Sequence, residues 1–414
     1  MQVPRVNMEQ IFSQTVKEVQ NLVGLSREEM KILEDVDSAA SELLEYEYQY
    51  YLEHRYNEKI PEILSKYDLM GIPILTKYQG RGARPIVHAL AMERLGQVGM
   101  GVVTFADVHQ FLGSLTIQQW GNEEQKQRYL PKAAKGSIIL AFALTEPEAG
   151  SDPSSMLSTY SAKDGRYYIT GSKYLISNGS VADNMIVFAR GIENSKEISA
   201  FILDTKSRGF KVEMKLLDKP GLFTSDTALL SMEEVEVSKE DLLGKEGKGL
   251  SVAYSALLNG RIGIGAGCVG VMDDCLKQVK ERSINRVQHG KAIAKHQLIQ
   301  KHIAKIASEL EASRWLVYRA ALQKEKYDKS PEDIDLRLET DRMSAIAKYT
   351  ASNASFDVAD RAMQIFGGFG YNLFSPVTRH FLDTRVARIY EGTDEIMELK
   401  IASTILGKEY EAYR

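Results

Sequence analysis

SIILAFALTEPEAGSD, Ser137 to Asp152, is where the chain changes its structural period. Its first half is an apolar run too short for a helix, and its second half is an acidic loop containing a glycine, which is how a strand ending in a turn is written. That character persists to about Asp241. RYYITGSKYLISN, NMIVFAR, EISAFILD, FKVEMKLL and TALLSMEEVEV are β-rich runs at close spacing, divided by Gly, Asn and Asp. An antiparallel β module is therefore expected across the middle of the chain. Upstream, from about Glu9 to Ala134, the period is helical: in SREEMKILEDVDSAASELLEYEYQYYLEHR the residues Met30, Leu33, Val36, Ala40 and Leu43 share one stripe. Ser26 followed by Glu29 is a capping-box pattern, and GIPILTKYQGRGARP, Gly71 to Pro85, is a turn-rich connection. After GKEGKGLS the helical period resumes and runs to the end, through HQLIQKHIAKIASELEASRWLVYRAALQKEK and IDLRLETDRMSAIAKYTASNASFDVADRAMQIF. Helices enclose a β module on both sides in sequence.

At 414 residues the chain exceeds what one core serves, so two or three modules around a large buried volume are expected. Lys plus Arg is 52 and Asp plus Glu is 56, a net charge of −4 without long runs of one sign. That balance gives no support for nucleic acid or a membrane surface as the partner, and no window approaches the length of an apolar membrane span. The two cysteines, Cys268 and Cys275, stand at helical spacing in an apolar segment and read as reduced core thiols. The N-terminus lacks an apolar signal core and an Arg/Ser-rich transit pattern, so a cytoplasmic protein is expected, with the mitochondrial matrix as the alternative in a eukaryote.

Several motifs compete for the chemistry. GAGCVG satisfies the dinucleotide fingerprint at Gly265, Gly267 and Gly270, but only RIGI precedes it and helical text follows; small residues letting two helices approach is the better reading. His296 and His302 lie six apart on different helix faces and His289 precedes a glycine in a loop, so no metal site is expected. No nucleophile elbow occurs. LAFALTEPEAGSDPSSM, Leu140 to Met156, runs a strand into a loop where Gly150 and Ser151 let main chain approach a ligand while offering donors, although taken alone an ordinary strand-to-turn connection accounts for it as well. QIFGGFGY, Gln364 to Tyr371, breaks two helical segments with free N–H groups suited to a phosphate or to another subunit's ligand, a plain interhelical turn being an equally cheap reading. About twenty residues later, RVARIYEGTDEI places Glu391 between an Ile-Tyr and a Gly-Thr pair, where no regular element needs an acid.

LTEPEAGSD and QIFGGFGY followed by SPVTRHFLDTRVARIYEGTDEI resemble the two signature regions of the acyl-CoA dehydrogenase family. VHQFLG, GNEEQKQRYLPKAAKG, YYITGSKYLISNG, LLGKEGKGL, NGRIGIGAG and NRVQHGKAIAKHQLIQ match in order, from about Leu25 to the C-terminus. The resemblance implies an α+β multidomain fold: an N-terminal helical domain (25–137), a middle antiparallel β domain (138–248) and a C-terminal four-helix-bundle domain (249–414), preceded by an extension (1–24). It also implies a homotetramer with one FAD per subunit, an acyl-CoA substrate, and an electron-transferring flavoprotein as acceptor.

The resemblance carries roles to particular residues. Glu391 matches the catalytic base of the straight-chain branch, removing the acyl α-proton while the β-hydrogen leaves as hydride to flavin N5. Such a base must be buried beside the substrate, where desolvation raises its pKa toward working pH. Tyr390 would line the acyl pocket, Gly392 would let main chain approach the thioester, and Arg261 matches a position beside CoA. Phe142, Leu144, Thr145, Gly150 and Ser151 match the strand and loop edging the flavin, with Ser151 also near CoA. Leu175, Ile176 and Ser177 match the stretch packing on the ring, while Thr393 and Glu395 match positions facing FAD. Arg286, Gln288 and Gln297, with Gln364, Gly367 and Gly368 from a neighbouring subunit, match the cradle of the pyrophosphate and adenosine.

Departures from the family pattern are specific. Leu175 stands where Trp is common, His289 where Phe is, and Phe374, Leu258 and Phe223 replace an acid, an Asp and an Arg respectively. Gly260 occupies the position from which other branches supply their base, and Met100 the position of an Arg that serves a dicarboxylate. The straight or short-chain arrangement, with Glu391 as the base, is therefore favoured, and a dicarboxylate substrate is disfavoured. A flavin oxidase or an enoyl-CoA reductase on the same scaffold is the alternative, with a nicotinamide oxidoreductase using Gly265, Gly267 and Gly270 further behind.

Overall fold

The computed structural model describes residues 9–410 and residue 412. Residues 1–8 of the expected extension lie outside the described residues; its remainder forms helix α1 (Glu9–Val23). Then come α2 (Arg27–Leu52), α3 (Lys59–Lys66), α4 (Pro85–Val98) and α5 (Met100–Asp107). A π-helical run (Val108–Ser114) leads into α6 (Leu115–Trp120) and α7 (Glu123–Ala134). The start of α2 follows from its sequence: Ser26 Oγ accepts from Glu29 N at 3.2 Å, and Glu29 Oε2 accepts from Ser26 N at 2.8 Å. Its Leu33, Val36, Ala40 and Leu43 stripe is buried. Every residue of α4 from Ile86 to Val98 is buried, and Glu93, Arg94 and Gln97 find partners inside the fold. Glu93 accepts from Tyr318 Oη at 2.6 Å and pairs with Arg314 at 3.0 Å, while Gln97 donates to Asp273 at 2.6 Å.

The middle of the chain forms one sheet from β1 (Leu140–Ala143), β2 (Thr159–Lys163), β3 (Arg166–Ser177), β4 (Asn184–Gly191), β5 (Ile198–Asp204), β6 (Phe210–Lys215), β7 (Thr227–Ser238) and β8 (Leu242–Leu243). Its spatial order is β6-β7-β3-β2-β4-β5-β8, with β1 also on β4. Most pairs are antiparallel, but β1 and β2 both run parallel to β4, Leu140 opposite Asn184 and Thr159 opposite Arg190. These two strands lie one after the other along the same edge of β4. The acidic loop 144–158 is what bulges out between them. It is tied down by a buried ion pair, because Lys173 from β3 meets Glu146 at 2.7 Å and donates to Leu144 O at 3.2 Å.

The C-terminal part packs α8 (Gly249–Asn285) against α9 (Gln297–Lys329) and α10 (Ile334–Phe366), with α11 (Thr378–Ala387) and α12 (Asp394–Leu406) closing on α10. A short hairpin, β9 (Val287–Gln288) with β10 (Lys291–Ala292), joins α8 to α9. In its most apolar stretch α8 is apolar all round because 89% of that stretch lies inside the fold, against α4 and α10. Gly265, Gly267 and Gly270 are interior to this helix. Their use is contact: a Cβ at Gly270 would meet Gly96 Cα at 2.8 Å and press on the Glu93 carbonyl. With their N–H groups spent on the helix, these glycines cannot cradle a pyrophosphate, and the nicotinamide reading fails on geometry. Cys268 and Cys275 are free and buried in the same helix.

Candidate active site

The site is assembled where the turn between α11 and α12 folds against the N-terminal half of α8. Glu391 has φ +55° and Gly392 φ +104°, so consecutive residues are left-handed, and for the glutamate that conformation costs about 1–2 kcal/mol. Two cations hold the turn. Arg261 Nε donates to the Glu391 carbonyl at 3.3 Å, and Lys348 Nζ donates to the Gly392 carbonyl at 2.6 Å. Arg261 is 3% exposed and is itself fixed by Asp341 at 3.2 Å. Thr393 caps α12, its Oγ1 accepting from Ile396 N at 3.3 Å.

This turn drives the Glu391 side chain inward. The residue is partly accessible, but Oε2 is enclosed and has no hydrogen-bond donor. A Cβ at Gly260 would stand 2.6 Å from the Glu391 carboxyl carbon, so any side chain there would displace the carboxylate. One turn further along α8, a Cβ at Gly263 would press on Asp107 Oδ1 and come within 2.5 Å of the Phe111 ring. The two glycines form a notch that receives two acids, Glu391 from the C-terminal turn and Asp107 from the end of α5. Burial pushes the Glu391 carboxyl above the ordinary carboxylate range, opposed by the neighbouring Asp107 carboxyl and by the charges of Arg261 and Lys348. Burial pushes Asp107 well above its ordinary value, and the facing Glu391 charge adds to it. Lys348 is lowered to about 8 by burial. Tyr390 is held high by burial beside Asp107 and Glu391.

The strand and loop residues gather at a second point. Tyr174 N donates to the Thr145 carbonyl at 2.9 Å, setting the start of the acidic loop beside β3. The register of β3 against β7 slips between Lys173 and Ile176, and Leu175 in that bulge takes φ +59°. A bulge re-aims a side chain, and Leu175 emerges 52% exposed. Phe142 and Leu144 are buried beneath the loop, while Gly150 and Ser151 are exposed on it. Ile176 departs from expectation: its side chain is 2% exposed and turns into the sheet core with Ala228 and Leu230, leaving only its main chain beside Leu175. Strand alternation makes this unavoidable once Leu175 faces out.

The remaining expected residues lie elsewhere. Arg286, Gln288 and Gln297 are exposed around the β9–β10 hairpin, and Gln364, Gly367 and Gly368 are exposed where α10 ends. Arg282 joins the two groups, its guanidinium standing 5.4 Å from the Phe366 ring and 5.6 Å from Phe369. Arg261 and Arg282 are both on α8, about 32 Å apart at the helical rise of 1.5 Å per residue. A single chain therefore does not bring these six residues to Glu391. Glu395 is exposed on the first turn of α12. Of the substituted positions, Phe223 stacks on His54 at 3.9 Å, Leu258 is buried in α8, and Phe374 is 60% exposed.

Sequence reading missed Asp107, Lys348 and the Lys173–Glu146 pair. Asp107 carried one signal, an acid closing the otherwise apolar helix MGVVTFAD. Lys348 carried none, being one of many lysines on helical text.

Models of the acyl-CoA dehydrogenase N-terminal, middle and C-terminal domains match residues 26–137, 141–235 and 247–406. An acyl-CoA dehydrogenase of Bacillus subtilis (strain 168) is 40% identical over 83% of this chain and 88% of its own length. The caffeyl-CoA reductase-Etf complex subunit CarC of Acetobacterium woodii is 34% identical over 85% of this chain and 90% of its own. Butyryl-CoA dehydrogenase from Megasphaera elsdenii superposes with a TM-score of 0.86 at 34% identity, covering 92% of this chain and 99% of that one. The helical, β and helical order, the enclosed acid and these matches agree: the chain belongs to the acyl-CoA dehydrogenase family.

Proposed function

We propose that this protein dehydrogenates a short-chain acyl-CoA to the trans-2-enoyl-CoA, with Glu391 as the base. The observation that carries the reading is the enclosed Glu391 carboxylate with an oxygen lacking any donor, held in the α8 notch by a strained turn. FAD, the cofactor of this family, supplies the acceptor for the β-hydrogen when bound. The residues present fit it: the bulge sets an apolar Leu175 outward beside the Thr145 main chain and the open Gly150–Ser151 loop, a surface for a flat ring with polar edges. A Cβ at Gly367 or Gly368 would meet nothing within 4 Å, so that turn is open to a bulky anion.

In this reading Glu391 takes the α-proton. A thioester α-proton is weakly acidic, and a carboxylate raised by burial is matched to it better than one in water. The left-handed turn points the Glu391 and Gly392 carbonyls at Arg261 and Lys348, which keeps both carbonyls away from the substrate and leaves the N–H groups of the turn for the thioester oxygen. Tyr390 closes the pocket against the acyl chain. Because the hairpin and α10 end stand about 32 Å from Arg261 along α8, a second copy of the chain contributes Arg286, Gln288, Gln297, Gln364, Gly367 and Gly368 together. The span of α8 supports this, as does the homotetramer implied by the family. An electron-transferring flavoprotein is the proposed acceptor, following the Etf complex to which the Acetobacterium woodii relative belongs.

The same relative favours a second reading, reduction of an enoyl-CoA, in which Glu391 returns the proton. Anaerobic titration with acyl-CoAs and enoyl-CoAs separates the two. The dehydrogenase is bleached by butyryl-CoA and reoxidised by electron-transferring flavoprotein, and Glu391→Gln keeps its flavin but is not bleached. Bleaching that persists in Glu391→Gln removes Glu391 from the base role.

A further inference from the structure

Two acids share the α8 notch, and only one has an assigned task. Asp107 is 1% exposed, and Oδ1 of Asp107 and Oε2 of Glu391 are both buried without an N–H or hydroxyl donor. Two ionised carboxylates facing one enclosed notch repel, and two unsatisfied acceptors cost desolvation; one proton between them relieves both. The surroundings decide which acid is charged. Arg261 from α8 and Lys348 from α10 hold the Glu391 turn and favour the charge of Glu391, while Asp107 meets burial and the Glu391 charge, both of which favour its neutral form. The other ionisable groups around the notch are Cys268 on α8, Asp341 behind Arg261, Tyr390 and Asp394 beside the turn, and His88 of α4, which stacks on the Phe111 ring at 3.9 Å and is kept neutral by burial. None offers Asp107 a positive partner.

We propose that Asp107 is a positioning residue for the base: it carries the shared proton, donates it to Glu391, and so keeps Glu391 ionised and directed out of the notch. This rests on the reading of Glu391 as base. Asp107 also has a defined mount, because it ends α5 where the π-helical run begins, and the Phe111 ring of that run fills the floor beside Gly263. When Glu391 accepts the α-proton it becomes neutral and Asp107 keeps its own; the transferred proton leaves after the product.

The test compares Asp107→Leu and Asp107→Asn in the flavin-loaded protein. Leu removes the donor, so the acidic limb of kcat/KM for butyryl-CoA moves up by about one pH unit. Asn keeps a donor through Nδ2, so its limb stays near that of the parent. Independently of turnover, infrared spectra near neutral pH show a buried protonated-carboxyl band that is lost in Asp107→Asn and retained in Glu391→Gln. An unmoved limb in Asp107→Leu, equal shifts in both variants, or a band lost in Glu391→Gln and kept in Asp107→Asn overturns the proposal. Should Asp107→Leu lose its flavin, the spectra of the other two variants decide. Bleaching of Glu391→Gln by butyryl-CoA would instead overturn the base assignment, whatever the infrared result.

Discussion

Replacing Gly260 by alanine should damage chemistry while sparing the fold. The new Cβ would stand 2.6 Å from the Glu391 carboxyl carbon, and comfortable carbon contacts begin at about 3.5 Å. The carboxylate must therefore retreat by about 1 Å. It can do so cheaply, because it is the free end of a flexible side chain, and alanine in a helix interior is worth about 0.5–1 kcal/mol over glycine. A reacting group displaced by about 1 Å can lose about 100-fold in rate. Gly260→Ala is thus expected to bind FAD, melt at or slightly above the parent temperature, and be bleached by butyryl-CoA about 100-fold more slowly in anaerobic stopped-flow. Gly270→Ala is the contrast, since its Cβ would meet the Gly96 Cα at 2.8 Å and the Glu93 carbonyl. There the backbone of α4 must move, and a stability loss of about 1–3 kcal/mol is expected. A Gly260→Ala protein bleached within a few-fold of the parent rate would refute the notch as the seat of the carboxylate. A fall in melting temperature matching that of Gly270→Ala would refute the claim that the two glycines serve different ends.

Two further outcomes follow from buried charges. Lys173→Met strands Glu146 in a site where both side chains are nearly inaccessible, 0% and 2% exposed; about 3 kcal/mol should be lost in urea unfolding, with new proteolytic cleavage in 144–158. Asp383 is raised to about 7 by burial, against an ordinary value of 3.8, so the folded state binds its proton more tightly than the unfolded chain does. Its contribution to stability is present below the ordinary value and is lost as pH rises toward about 7. Asp383→Asn should accordingly flatten the stability profile between those limits, as read from urea midpoints at several pH values; an unchanged slope would show that Asp383 does not carry it.

Much of the fold was legible because it depends on local repetition. The stripe of α2, the Ser26 capping box and the β-rich composition of the RYYITGSKYLISN run are local, and the structure forms the helix, the cap and the strand where they stand. The parallel placing of β1 and β2 along β4 was not legible, since strand direction depends on how the chain returns after the loop. Ile176 shows a finer limit: a bulge at Leu175 inverts which neighbour faces out, and no residue in YLIS announces a bulge. Glu391 was readable as a candidate because it sits in an ordered signature with Tyr390, Gly392 and Thr393. Asp107 was not, because its partner is hundreds of residues away in sequence and the glycines that admit both acids look like ordinary helix-packing residues.

By itself the sequence determined the zoning into helices, sheet and helices, the acidic loop after β1, and the acid at 391, all of which are set by periodicity, turn chemistry and residue order. Folding decided the environment of that acid. Gly260 and Gly263 face the carboxylates of Glu391 and Asp107; Arg261 and Lys348 hold successive carbonyls of one strained turn; and α8 keeps the hairpin and α10 end about 32 Å from the base. Charge state, aim and access depend on distances between segments remote in the chain, and those exist only once the helices have packed.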